Sequence, residues 1–70
     1  MNTNIKILIV DDNRIKVDTF IGILTSSGIV RENVDVAHFG LEARGKLRQT
    51  QYDLMILDLA LPMRDGEPPV

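Results

Sequence analysis

Three short apolar or alternating runs are separated along the chain by two longer segments whose apolar residues recur at helical spacing. The short runs cover about residues 5–10, 34–37 and 53–57, and they are rich in isoleucine, leucine and valine, which is typical of buried strands. The longer segments cover about residues 14–27 and 40–50. This β-α-β-α-β order predicts an α/β protein with a parallel sheet and right-handed crossovers.

The first helical segment carries the stronger pattern. Asp12 or Asn13 is suited to cap its start, and Gly28 is suited to end it in the left-handed conformation. Its apolar residues fall at i, i+3, i+4 and i+7 and predict one inward stripe of Val17, Phe20, Ile21 and Leu24.

The second helical segment has a thinner inward stripe, Ala43 and Leu47. It also contains Gly45, which costs roughly 1 kcal/mol relative to alanine inside a helix. After the third strand, the Asp65-Gly66 turn signal and three prolines predict a loop that runs to Val70. His38, the only histidine, is expected in a loop at the end of strand 2.

Acidic residues directly follow the first and third strands. Asp11 and Asp12 follow the first, and Asp58 follows the third. Open α/β sheets bind their ligands at the carboxyl ends of the strands. Asp11 and Asp58 can meet only if strand 3 lies beside strand 1, which favours a strand order 2-1-3. Three converging carboxylates repel one another, so we expect a cation between them. Taken alone, the acidic pair would equally suit the first turn of a helix.

Composition narrows the classes of function. Seventy residues form at most one small domain, which buries only about 60% of its unfolded surface. The absence of cysteine excludes a disulfide framework or thiolate metal site and suits the reducing cytoplasm. A net charge of −2 argues against direct nucleic-acid binding. No apolar stretch approaches the roughly 20 residues of a membrane span. We therefore expect a cytoplasmic protein that does not bind membranes.

Several short motifs occur together. The acidic pair Asp11-Asp12 is followed by the segment 40–43, by the strand and aspartate of 52–59, and by a Leu-Pro-x-x-Asp-Gly loop over residues 61–66. In combination they resemble the receiver domain of response regulators in two-component signal transduction. The resemblance implies a flavodoxin-like receiver fold, here truncated to β-α-β-α-β with parallel strand order 2-1-3.

The resemblance also implies a function. Asp58 would accept a phosphoryl group from a histidine kinase or a histidine phosphotransfer protein, in a Mg²⁺-dependent reaction. Asp12 and Asp58 would bind Mg²⁺ directly, Asp11 mainly through a water, and Ala60 through its backbone carbonyl. Mg²⁺ prefers such hard oxygen ligands. On this view the protein is a phosphorylated signalling domain and not an enzyme.

The resemblance covers the N-terminal portion of one receiver domain, residues 1–70. The family's hydroxyl residue after strand 4 and its lysine after strand 5 have no counterpart here. The three lysines lie in other segments, so none takes that role by motif: Lys6, Lys16 and Lys46.

Two alternative functions remain. An interaction or dimerisation module without phosphotransfer would use the unpaired edge of strand 3, and we expect the isolated chain to self-associate through this edge or to be partly disordered. A Mg²⁺-dependent phosphohydrolase with an aspartyl-phosphate is disfavoured, because the Asp-x-Asp pattern of that family is absent. Ala60 stands two residues after Asp58, and Asn13 two residues after Asp11.

Overall fold

The computed structural model describes residues 4–69 as a three-stranded parallel sheet with one helix on each face. In chain order the elements are β1 (Ile7–Val10), α1 (Arg14–Ser26), a 3₁₀ turn (Arg31–Asn33), β2 (Val34–Ala37), α2 (Gly40–Gln49) and β3 (Leu54–Leu57). The sheet order is β2-β1-β3. The predicted fold class and strand order are therefore confirmed. Residues 1–3 and 70 of the expected domain lie outside the described residues.

β1 is the central strand and pairs with both neighbours over its whole length. Val10, its last residue, lies opposite Ala37 of β2 and Leu57 of β3. All four β1 side chains are completely buried, as expected for a parallel strand covered on both faces. Because the three strands end at the same level, the residues that follow them emerge at one edge of the sheet.

Alternate residues of β1 serve two separate cores. On the α1 face the buried cluster consists of Ile7, Ile9, Val17, Ile29 and Val34. The other predicted stripe residues of α1 pack against it. On the α2 face the buried cluster consists of Leu8, Val10, Ala37 and Ala43. The two helices are therefore fixed on opposite faces of β1.

Both ends of α1 follow the predicted chemistry. Of the two expected N-caps, Asn13 takes the role, and its side-chain oxygen accepts hydrogen bonds from the N–H groups of Ile15 and Lys16, both at 3.1 Å. Gly28, just beyond the C-terminus, has φ 97°. This left-handed conformation is readily available to glycine.

The elements are slightly shorter than the sequence suggests. β1 begins at Ile7 because its partner β2 begins opposite it at Val34, after the 3₁₀ turn. β3 begins at Leu54. The preceding residue, Asp53, uses its carboxylate to accept the N–H of Lys6 at 2.8 Å. Each helix ends one residue earlier than predicted.

The prediction that Leu47 belongs to an inward stripe of α2 is wrong, because its side chain is 47% exposed. Among the α2 residues only Ala43 belongs to the buried cluster on that face. The described residues that follow β3 contain neither helix nor strand. Within residues 4–69 no helix has the length and apolar character needed to cross a membrane.

Candidate functional site

Main-chain hydrogen bonds bring the two acidic clusters to the same edge of the sheet. The N–H of Asp11 donates to the carbonyl of Ala37 at 3.0 Å, and the N–H of Asp58 donates to the carbonyl of Val10 at 2.9 Å. Each aspartate thus continues the ladder by one residue beyond its strand. Backbone pairing therefore fixes where both side chains start.

The three aspartates singled out by the sequence converge. Asp11, Asp12 and Asp58 each offer a carboxylate oxygen, and these oxygens all lie within 4.8 Å of one another. Asp11 is buried, Asp58 is partly buried and Asp12 is exposed. The donors are all hard oxygens and one side of the cluster is open to solvent. Such a set fits Mg²⁺, which keeps several water ligands.

Two of the carboxylates are already held by their own loops. Asp11 Oδ1 accepts the N–H of Asn13 at 2.9 Å, and Asp58 Oδ1 accepts the N–H of Ala60 at 3.1 Å. The second contact keeps Ala60, the expected carbonyl donor, beside the cluster. A shallow cleft of about 280 Å³ adjoins the site, and its lining includes Asp11, Lys16, Phe20, Ile56, Asp58 and Leu59.

Lys16 is the residue of this site that the motifs did not indicate. Its Nζ lies 3.1 Å from Asp11 Oδ2. The pKa of the Lys16 ammonium is raised above its ordinary value, first by the hydrogen bond to Asp11 and then by the charges of Asp11, Asp58 and Asp12. Its place in the first turn of α1 could have indicated this contact, because helical side chains point back toward the N-terminus.

His38 joins the end of β2 to this site. Its Nε2 lies 3.1 Å from a guanidinium nitrogen of Arg14, and its Nδ1 lies 3.1 Å from the carbonyl oxygen of Asp11. A guanidinium can only donate, so Nε2 accepts and Nδ1–H donates to Asp11. His38 therefore supports the backbone of Asp11 from the β2 side and does not belong to the acidic cluster.

The loop after Asp58 is tied to the start of α2. The N–H of Gly40 donates to the carbonyl of Pro62 at 2.8 Å, and the N–H of Leu41 donates to that of Met63 at 2.9 Å. These donors would otherwise lack partners, since the first N–H groups of a helix have none inside it. The helix start and the loop are therefore held together.

Comparison with known proteins identifies relatives of this chain. Residues 7–67 match the family model described as the response regulator receiver domain. An uncharacterized protein of Sinorhizobium fredii is 41% identical over 91% of this chain. "Hybrid signal transduction histidine kinase B" of Dictyostelium discoideum is 41% identical over 87% of it, and "Histidine kinase 5" of Arabidopsis thaliana is 33% identical over 87%.

The matched region is a small part of each relative. The chain spans 16% of the Sinorhizobium protein, 3% of the Dictyostelium kinase and 6% of the Arabidopsis kinase. No solved structure matches the chain significantly. The family model nevertheless covers most of the sequence, including both acidic clusters and the loop after β3. This chain belongs to the response regulator receiver domain family of two-component signalling.

Proposed function

We propose that this chain is a phosphoacceptor of a two-component phosphorelay and that Asp58 is phosphorylated in a Mg²⁺-dependent reaction. The observation that carries the proposal is the convergence of Asp11, Asp12 and Asp58 within 4.8 Å in a chain of the receiver family. Residues 1–70 would form the N-terminal part of one receiver domain.

Asp58 has the chemistry of a nucleophile for phosphoryl transfer. Its Oδ1 is engaged by Ala60, and within residues 4–69 no hydrogen bond to Oδ2 is found. Oδ2 would form the bond to phosphorus while the bond between phosphorus and the donor's histidine nitrogen breaks. The electron pair of that bond returns to the imidazole, and the product is an acyl phosphate.

The metal would be held by Asp12 and Asp58 through their side chains, by Asp11 mainly through water, and by the backbone carbonyl of Ala60. When bound, Mg²⁺ would offset the negative charge of the carboxylates and of the incoming phosphoryl group. The three carboxylates that share this edge of the sheet support a cation at this position.

The phosphoryl donor would be a histidine kinase or a histidine phosphotransfer protein in the cytoplasm. Similar sequences occur within proteins named as histidine kinases in Dictyostelium and Arabidopsis. In such proteins a receiver and a kinase lie in one chain, which makes transfer from a phosphohistidine the natural chemistry to test.

Intact-mass spectrometry after incubation with MgCl₂ and acetyl phosphate tests the proposal. We expect the wild-type chain to gain one phosphoryl group, and we expect the gain to disappear with EDTA or in Asp58→Asn. Asp53→Asn is the matched control, because Asp53 lies at the opposite end of β3. An unmodified wild-type chain, or an Asp58→Asn chain that is still phosphorylated, would contradict the proposal.

A second candidate function is an interaction or dimerisation module without competent phosphotransfer. The observation in its favour is the exposure of Leu54, Met55 and Leu57 on β3, each between 41% and 47%. Self-association through this edge would cover them. Association together with an unmodified mass in the phosphorylation experiment would favour this candidate over the first.

A further inference from the structure

The buried carboxylate of the site already has a partner on each oxygen. Asp11 is 3% exposed, its Oδ1 accepts the N–H of Asn13, and its Oδ2 lies 3.1 Å from Nζ of Lys16. The first contact belongs to the turn that starts α1. The second comes from a side chain that can move. A cation approaching Oδ2, directly or through a water, therefore meets the Lys16 ammonium first.

The Lys16 side chain can withdraw from Asp11 without disturbing the fold. Its side chain is 54% exposed, so withdrawal from Asp11 disturbs no packed core. The residue lies in the first turn of α1, and its backbone N–H stays fixed by the Asn13 cap whatever the side chain does. Only the flexible stem has to rotate for the ammonium to reach water.

The charges of the cluster favour replacement of the Lys16 ammonium by a divalent cation. Three carboxylates and one ammonium leave the cluster with a net charge of −2. One ammonium relieves part of the repulsion among the carboxylates, and a divalent cation relieves more. A metal and the ammonium at the same carboxylate would repel each other, so the two cations compete.

We propose that Lys16 is the resident counter-cation of this site: it holds Asp11 when no divalent ion is bound, and it withdraws when one binds. The proposal rests on the proposed function in one respect, namely that the three aspartates bind Mg²⁺. It assigns Lys16 a positioning role that lowers the affinity for metal while keeping the metal-free site ordered.

Isothermal titration of the full chain with MgCl₂ tests this competition. Lys16→Met removes the charge and keeps a similar side-chain length, so we expect Mg²⁺ to bind about five-fold tighter. Lys16→Arg keeps the charge and is expected to bind Mg²⁺ as the wild type does. Lys46→Met, on α2, is the control for loss of a lysine elsewhere and is expected to leave the affinity unchanged.

Thermal melts give a second readout. In EDTA we expect Lys16→Met to melt below the wild type, because three carboxylates are left without a counter-charge. Saturating Mg²⁺ should close that gap. NMR of the Lys16 side chain in the wild type should show its resonances moving during the MgCl₂ titration.

The outcomes separate the two proposals. Equal or weaker Mg²⁺ binding by Lys16→Met, with the wild type binding normally, would overturn the role of Lys16 and leave the metal site intact. Absence of Mg²⁺ binding in every variant would overturn the metal site of the proposed function as well as the competition. Tighter binding by Lys16→Met and by Lys46→Met alike would reduce the effect to net charge and also overturn the role of Lys16.

Discussion

Asp11 and Asp58 make the same local contact, although they lie 47 positions apart in the sequence. Each carboxylate accepts the N–H of the residue two positions later, Asn13 in one case and Ala60 in the other. Aspartate is favoured in such turns because its side chain bonds its own backbone. One oxygen of each carboxylate is therefore committed in advance, and the pair is oriented before any ligand arrives.

Tyr52 makes a residue-scale contact whose contribution can be measured. Its hydroxyl donates to Asp35 Oδ2 at 2.5 Å and ties the segment before β3 to β2. We expect Tyr52→Phe to lower the free energy of unfolding by about 1.5 kcal/mol at pH 7, the lower end of the usual range for a hydrogen bond to a charged group, because this bond is only partly buried. Urea denaturation measures it. An unchanged midpoint would mean that this bond contributes nothing.

The same residue predicts a dependence on pH. Burial raises the pKa of the Tyr52 hydroxyl, and the hydrogen bond and charge of Asp35 raise it further. In the unfolded chain the hydroxyl loses its proton near pH 10, its ordinary pKa. The folded chain keeps the proton to a higher pH. The stabilisation is complete below about pH 10 and is lost as the pH rises through the higher folded pKa. Stability curves of wild type and Tyr52→Phe should converge above pH 10. Parallel curves would contradict this.

The sequence predicted the aspartates of the site but not their side-chain partners. Asp11, Asp12 and Asp58 could be identified because each follows an apolar strand, and backbone pairing then determines where it emerges. Lys16 reaches Asp11 through its rotamer, and its place in the first turn of α1 was the one local signal for this contact. His38 was expected only as a loop residue, and its contact with Asp11 depends on the pairing of β1 with β2.

At the scale of elements, the start of α2 and the loop after β3 depend on each other. Gly40 allows their close approach, because a Cβ at this position would lie 2.9 Å from Sδ and 3.4 Å from Cα of Met63. The Met63 side chain can rotate away, whereas its backbone is held by the hydrogen bond from Leu41. A Cβ at position 40 therefore displaces the Met63 side chain, whereas its distance to Met63 Cα is an ordinary van der Waals contact.

Two alanine substitutions in α2 test this contact. We expect Gly40→Ala to leave the free energy of unfolding about unchanged, because displacing the Met63 side chain offsets the gain in helix propensity of about 1 kcal/mol. Gly45→Ala is the matched control: a Cβ there meets no atom within 4 Å, and we expect it to stabilise by about 1 kcal/mol. Denaturant melts measure both. Equal stabilisation by the two substitutions would show that Met63 moves aside at no cost in stability.

The elements themselves were predictable from periodicity, and their ends were less so. The strand at 34–37 and the starts of both helices agree with the structure because Asn13 and the apolar spacing determine them locally. The first residue of β1 depends on where its neighbour begins, which is a property of the sheet. Leu47 was wrongly predicted to face inward, because the narrow three-stranded sheet buries only one residue of α2, Ala43.

At the scale of the whole molecule, β3 is the edge strand next to β1 and has no partner on its outer side within residues 4–69. Leu54 and Asp58 donate their N–H groups toward β1, so the N–H and carbonyl groups of Met55 and Leu57 point away from it. Both side chains are also more than 40% exposed. An apolar strand with free backbone groups is a template for pairing with another chain.

We expect the isolated chain to self-associate through this edge as its concentration rises. Met55→Lys should weaken the association at least about ten-fold, a change of about 1.4 kcal/mol, because an edge lysine opposes pairing. Ile15→Lys, on the exposed surface of α1, is the matched control and should associate as the wild type does. Sedimentation velocity distinguishes these cases. A wild type that stays monomeric, or a Met55→Lys chain that associates equally, would exclude the β3 edge.

The central claim is that Asp58 is the phosphorylated residue, and chemical trapping tests it most directly. The wild-type chain is incubated with MgCl₂ and acetyl phosphate, reduced with borohydride to convert any acyl phosphate into an alcohol, digested, and mapped by tandem mass spectrometry. We predict that position 58 alone is converted to homoserine and that the conversion requires Mg²⁺. Conversion at Asp11 or Asp12, or no conversion at any aspartate, would contradict the claim.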